Sequence, residues 1–276
     1  MKVVLFCGGL GARMKENSDS LPKPMVTIGY RPVLWHVMNY YASHGHKDFI
    51  LCLGYRADLI KQYFLTYSEF LSNDFVLSSG GKNLALLQSD IDEWKITFVD
   101  TGLHANIGQR LGAVRRHLEN EPMFLANYSD GLTDLPLASM IEFSQTRNAI
   151  GSFVCVKPRH TFHVVSAKEG GVVTSIRSAE QADIWINGGY FIFRNEIFDY
   201  MRDGEELVEK PFARLIRNQQ LLAYKYDGFW APLDTFKDRQ YLDDLYVRGE
   251  APWEVWKKQA ARTNGGAMYS KAGAVI

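Results

Sequence analysis

Two short stretches near the start of the chain carry residue types suited to binding phosphate. The first is GGLGARM at 8–14, which follows the apolar run KVVLF at 2–6. Glycine has no Cβ, so the backbone N–H groups of Gly8, Gly9 and Gly11 stay accessible and an anion can come close. Arg13 adds a fixed cation with several donors. A triphosphate fits such a loop, and a plain turn shaped by its glycines is the alternative. The second stretch is LPKPMV, in which Pro22 and Pro24 flank Lys23. Both prolines restrict the backbone and predict an extended conformation that aims the lysine without a helix. A lysine there, beside the glycine-arginine loop, suits the phosphate that is to be attacked.

A triphosphate site calls for a divalent metal, and a hard cation takes oxygen ligands. Asp130, in NYSDG, falls just past the strand-like MFLANY, and ligand sites of open α/β sheets gather at the carboxyl ends of strands. Asp234, in WAPLDT, falls between a strand and a helix, where metal binding and helix capping are equally open. Asp100 also ends a strand, but Thr101 and Gly102 follow, and a turn is expected. The loop is not a Walker loop, since no Lys-Ser/Thr pair follows. The dinucleotide fingerprint needs a glycine where Met14 stands, and FILCLGYR ends without an acidic residue for a ribose. A nicotinamide enzyme is therefore poorly supported.

The elements that must position these residues follow from hydrophobic period. KVVLF, DFILCL at 48–53, KITFVD at 95–100 and MFLANY at 123–128 read as strands. VLWHVMNYYASHG, ADLIKQYFLTY and QRLGAVRRHL read as helices, with Gly45 closing the first. That alternation predicts a doubly wound α/β sheet over 1–150. From 151 to 256 the texture is β-rich: SFVCVK, FHVVSA, VVTSIR, IWINGGYFIF and LLAYKYDGFW, then a helix in DTFKDRQYLDDLYVRG. Residues 257–276 lack apolar periodicity and predict a flexible tail.

Composition narrows the classes. The 276 residues carry a formal net charge of +0, which argues against a general nucleic-acid binder. No apolar run is long enough for a bilayer, and the chain enters a strand at once rather than a secretory signal, so a cytoplasmic setting is expected. Cys7, Cys52 and Cys155 lie in apolar strands without metal-ligand spacing and predict buried, reduced thiols. The seven histidines show no triad or metal spacing, and His36 is expected to be structural.

Taken with LPKPMVTIGYRPVLWHVM, INGGYF, GFWAPLDTFKDRQYL and APWEVW, these motifs resemble the sugar-phosphate nucleotidyltransferases over residues 1–256, most closely the branch that joins CTP to glucose 1-phosphate. The resemblance implies the nucleotide-diphospho-sugar transferase type of fold: a Rossmann-like mixed, mostly parallel sheet flanked by helices, with a β-rich sugar-binding part. It implies that Gly8, Gly9, Gly11 and Arg13 hold the triphosphate, that Lys23 stabilises charge on the α-phosphate, and that Asp130 and Asp234 hold Mg²⁺. NIGQRL resembles the base-contacting segment, which makes Gly108 and Arg110 candidates for cytosine. Asn187 and Gly188 would face the sugar. A homo-oligomer is implied, with FDYMRDGEELVEKPFARLIRN and APWEVW as candidate contacts.

The sequence departs from the pattern on the sugar side. A Glu-Lys-Pro whose lysine grips the sugar phosphate is missing, and Ala179 or a near neighbour stands there, in SIRSAEQADIWINGG. An Arg-Phe-Gly is replaced around Phe162 by Thr161 and His163. Arg159, His160, His163 and Arg177 lie in the altered segments as substitute donors, with Phe162 and Arg177 as sugar-side candidates. On the triphosphate side, Ala12 stands for a threonine and Ser129 for a glycine. Two further readings stay open: another sugar or nucleoside triphosphate, and a silent regulatory relative that binds nucleotide only.

Overall fold

The computed structural model describes residues 1–9, 21–158, 163–179 and 182–257. The chain opens with β1 (Val3–Phe6), buried at every residue. A small ladder of β2 (Thr27–Ile28) and β3 (Arg31–Pro32) leads into α1 (Val33–Ser43), which stops at Gly45, whose φ of 83° suits a residue without Cβ. β4 (Asp48–Leu53) and α2 (Ala57–Leu65) follow. A ribbon of β5 (Phe75–Ser78) and β6 (Asn83–Leu86) stands exposed on both faces before β7 (Lys95–Asp100). Its base is tied down by the buried Arg31, whose guanidinium donates to Asp90 at 3.0 Å and to the Ser68 carbonyl at 2.9 Å.

α3 (Ile107–Ala113) starts at a capping box between Asn106 and Gln109. After it come β8 (Met123–Asn127), the short β9 (Gly131–Thr133) and α4 (Leu137–Thr146). β10 (Gly151–Val156) is followed by a separate two-stranded ribbon, β11 (His163–Ala167) with β12 (Val173–Ser178), and then by β13 (Ile186–Arg194). α5 (Lys210–Arg217), β14 (Leu221–Tyr226), β15 (Trp230–Pro232) and α6 (Phe236–Val247) complete the described fold.

Seven strands form one sheet in the order β14-β10-β13-β8-β1-β4-β7. β13 alone runs antiparallel to both its neighbours, and the remaining pairs are parallel. The carboxyl ends of six strands therefore share one edge. Both faces are covered: Val3, Leu5, Phe49 and Tyr190 face the core under α1 and α6, while Val4, Phe6, Phe124 and Phe193 face the core under α3 and α5. The predicted strands at 48–53 and 95–100 match in full. The expected division at residue 150 is one of sequence texture, since β10, β13 and β14 complete the sheet begun by β1, β4, β7 and β8.

The structure corrects the backbone expected at Lys23. Pro22 is extended, but Lys23 opens a 3-10 turn, Lys23–Met25, closed by Met25 N–H donating to the Pro22 carbonyl at 2.8 Å. Pro24 fits a turn's second position, where its missing N–H leaves no bond unmade. Residues 258–276, most of the expected tail, lie outside the described residues. All three cysteines are free and buried, and burial pushes the Cys7 thiol up to about 12.

Candidate active site

The carboxyl edge of the sheet brings Lys23, Asp130 and Asp234 together. Asp130 leads into β9 and Asp234 follows β15, and these two strands pair antiparallel with Pro232 opposite Gly131. The register continues one step further, since Leu233 N–H donates to the Asp130 carbonyl at 2.8 Å. Two carboxylates far apart in sequence thus leave one ladder side by side. The Lys23 ammonium donates to Asp130 Oδ2 at 2.6 Å and to Asp234 Oδ1 at 2.6 Å.

The open choice for Asp234 is resolved as to capping. Thr235 is the N-cap of α6, its hydroxyl accepting from Asp238 N–H in a capping box, so Asp234 is left to face Lys23. Asp100 makes the expected turn, accepting from Gly102 N–H at 3.0 Å. The triad is partly buried, with side-chain exposures of 15% for Lys23, 29% for Asp130 and 30% for Asp234. Burial works against the Lys23 ammonium, yet Asp130 and then Asp234 outweigh it and hold its pKa above the ordinary lysine value. Burial lifts Asp130 above its ordinary value against the pull of Lys23, and the Asp234 charge adds to the rise. Two carboxylate oxygens aimed at one point form a hard donor set that suits a divalent cation. Among the described residues no cluster of three or more metal-ligating side chains occurs.

The glycine loop begins directly above a buried arginine. Arg110 is 3% exposed and donates to the carbonyls of Gly8 (2.9 Å), Leu53 (3.1 Å), Gly102 (3.0 Å) and Leu103 (3.4 Å) and to the Thr101 hydroxyl (2.7 Å). It thereby ties the ends of β1, β4 and β7 together. A Cβ on Gly8 would fall 2.0 Å from this guanidinium, which explains the glycine without reference to a ligand. Gly108 is likewise required by packing, since its Cβ would meet the Glu205 carbonyl at 2.1 Å. Gly9 is exposed with open space around it. Gly11, Arg13 and Phe162 lie outside the described residues, as do Arg159 and His160.

Of the residues expected to face the sugar, Asn187 donates to the Tyr128 hydroxyl at 3.3 Å and its Oδ1 accepts from Gly189 N–H at 2.9 Å. The Gly188 carbonyl accepts from the Trp230 indole at 2.9 Å, and a Cβ on Gly188 would strike Val154 at 2.7 Å. Arg177 and His163 sit on the exposed β11–β12 ribbon, at opposite His163–Ser178 and Val164–Arg177 register positions. Ala179 is fully buried. Sequence reasoning missed the part played by Ser129, whose φ of 63° turns the chain from β8 into Asp130 and whose hydroxyl donates to the Phe6 carbonyl at 2.8 Å. The glycine expected at that position was the available signal.

A mixed, mostly parallel sheet with a lysine and two aspartates gathered at its carboxyl edge has the architecture of an α/β protein with a ligand site at that edge. The profile of the nucleotidyl transferase family matches residues 2–238, and the chain belongs to that family. It is 34% identical over 258 residues to the glucose-1-phosphate cytidylyltransferase of Salmonella typhimurium, covering 93% of this chain and 100% of that protein. The mannose-1-phosphate guanyltransferase of Gibberella zeae is 24% identical, over 90% of this chain and 66% of its own length. Among solved structures, the UTP-bound UGPase of Acinetobacter baumannii shares the fold with a TM-score of 0.63 at 17% identity, covering 94% of this chain and 98% of that one. Among the described residues, no helix is long and apolar enough to cross a membrane.

Proposed function

We propose that the protein is a sugar-1-phosphate cytidylyltransferase that converts CTP and a sugar 1-phosphate, glucose 1-phosphate first among them, into a CDP-sugar and pyrophosphate. The observation that carries this reading is the convergence of Asp130 and Asp234 on Lys23 in a chain so similar to a glucose-1-phosphate cytidylyltransferase over nearly its whole length. An oxygen of the sugar phosphate forms a bond to the α-phosphorus of CTP. The bond from that phosphorus to the bridging oxygen breaks, and its electron pair leaves with pyrophosphate. No general base is required, because a phosphate dianion is already a nucleophile at neutral pH.

The chain's own work is positioning and neutralising charge. Lys23 offers its ammonium to the α-phosphate. Gly8, Gly9, Gly11 and Arg13 cradle the triphosphate, Gly108 and Arg110 flank the base, and Asn187, Gly188, Phe162 and Arg177 form the sugar side. A divalent cation held by Asp130 and Asp234, which we take to be Mg²⁺, would supply further positive charge at the α-phosphate. A homo-oligomer in the cytoplasm is the expected setting.

The buried Ala179 supports a second reading, in which the reaction is the same and the acceptor is a different sugar 1-phosphate. Pyrophosphate release with Mg²⁺, across the nucleoside triphosphates and a panel of sugar 1-phosphates, tests both. Release with CTP and one sugar is the expected result, and the responding sugar separates the two readings. Binding of CTP without release across the panel would overturn them in favour of a regulatory relative.

A further inference from the structure

Where the resemblance places the sugar-phosphate lysine, this chain has Ala179, which is completely buried. Cations gather one sheet position away. Across the ladders, Asn187 of β13 pairs with Cys155 of β10, and Cys155 pairs with Lys225 of β14. Lys157 lies two residues beyond Cys155, and Trp185 two residues before Asn187. The Lys225 ammonium sits 4.7 Å from the centre of the Trp185 ring and the Lys157 ammonium 5.4 Å. The ring is oriented by its own N–H, which donates to Asp183 at 2.7 Å.

Two ammonium groups over one ring repel each other, and the ring offsets only part of that cost. Among the described residues their neutralisation is incomplete. Lys157 has Asp227 at 3.9 Å, the outer limit of an ion pair, and Lys225 has no carboxylate within ion-pair distance among the described residues. Lys157 also lines a cavity of about 580 Å³ with Tyr226, Phe229 and Trp230. Trp230 connects that cavity to the sugar side through its bond to the Gly188 carbonyl. Strands lie roughly 4.8 Å apart, which places β10 about 10 Å from β8, the strand that leads to Asp130. That is the span of a sugar phosphate laid along the edge.

We propose that Lys157 and Lys225, over the ring of Trp185, hold an anionic group of the acceptor. The inference rests on the cytidylyltransferase reading. The anion is either the 1-phosphate itself or an acidic substituent at the far end of the sugar, and the two are told apart by choice of acceptor.

The test is steady-state kinetics of a Lys157→Met, Lys225→Met double variant with glucose 1-phosphate and with glucuronic acid 1-phosphate. A tenfold or greater rise in acceptor KM, with CTP KM and thermal midpoint unchanged, is expected. A rise with both acceptors assigns the clamp to the 1-phosphate, and a rise with the glucuronate alone assigns it to the acidic substituent. Unchanged KM for both overturns the inference. If the unaltered protein releases no pyrophosphate with any acceptor, the reaction reading fails, and tryptophan fluorescence titrated with the same two acceptors decides the clamp. Saturable quenching lost in Trp185→Phe and in the double variant upholds it; no quenching in the unaltered protein overturns it.

Discussion

The two sides of the sheet edge are built on opposite plans. On the donor side, β1 is buried throughout, Gly8 is pinned by Arg110, and Lys23 is held by two carboxylates. On the proposed acceptor side, the β11–β12 ribbon is mostly exposed, and among the described residues Lys157 has only a distant carboxylate and Lys225 none within ion-pair distance. Backbone and buried charge fix the side proposed to handle triphosphate, a group common to every nucleoside triphosphate. On the proposed reading, exposed side chains make the side that chooses a sugar, and these can change without disturbing the core. The departures from the family pattern concentrate on that second half for this reason.

The largest effect expected is at the carboxylates. Asp130→Asn or Asp234→Asn should lower kcat by a factor of about 10³, or roughly 4 kcal/mol of transition-state stabilisation. The fold should not suffer in proportion, because burial and the neighbouring Asp234 already disfavour the Asp130 charge. Parallel measurements of turnover and urea midpoint check this. A loss below tenfold at both positions would place the chemistry elsewhere and dissolve the contrast between the two sides.

Arg110 separates the sides by stability instead. Arg110→Gln removes the guanidinium from four carbonyls and a hydroxyl; Gly8 and Leu53 keep donors from Tyr55 and Thr101, while Gly102 and Leu103 lose theirs, and the change should cost about 2–3 kcal/mol. Lys225→Met, on the exposed side, should stay within about 0.5 kcal/mol. Denaturant unfolding of both variants makes the comparison. An Arg110 variant as stable as the parent would mean that this arginine serves the base alone.

Most of the sheet was legible in the sequence because buried parallel strands read as continuous apolar runs, as in DFILCL and KITFVD. The β5–β6 ribbon was not, since it buries neither face and its apolar residues follow no core-facing period. α4 and α5 were missed inside segments dominated by loop and strand signals. Within the candidate site, Lys23, Asp130 and Asp234 were legible from strand ends and loop chemistry. Their convergence was not, because it depends on the β9–β15 register, which no local pattern records. The buried position of Arg110 was hidden for the same reason: its partners come from three separate strand ends.

The third prediction concerns pH and again falls on the donor side. His36 is buried in α1, its Nε2 bonded to the Ile28 carbonyl at 3.1 Å and its Nδ1 facing the Trp253 indole N–H at 3.3 Å. These partners assign the proton to Nε2, and a second proton on Nδ1 would meet a donor. Burial pushes its pKa down to about 4. The unfolded chain therefore takes up a proton first as pH falls, so this stability is complete above about 6.5 and is lost progressively toward 4, on the order of 3 kcal/mol in all. His46, also lowered to about 4 by partial burial and then the N-terminal ammonium, adds a smaller, screened share. Urea midpoints at pH 7 and pH 5 should diverge in the parent and draw together in His36→Gln. An equal drop in both proteins would remove His36 from the account.

The smallest effect sharpens the comparison most closely, because it lies at the turn into Asp130. Ser129 is a non-glycine residue in the left-handed region, a conformation costing about 1 kcal/mol or more, and it is fully buried. Its hydroxyl donates to the Phe6 carbonyl and its N–H to Asn127 Oδ1 at 2.6 Å, so the strained turn is anchored to β1, the strand that feeds the glycine loop. Ser129→Ala keeps the strain and loses the hydroxyl bond, and should cost about 1–2 kcal/mol. Ser129→Gly loses the same bond but relieves the strain, and should remain within about 0.5 kcal/mol of the parent. The difference between the two variants isolates the backbone cost of aiming Asp130 at Lys23. Should alanine prove as stable as glycine, the left-handed turn would carry no strain, and the donor side would owe its geometry to the β9–β15 ladder alone.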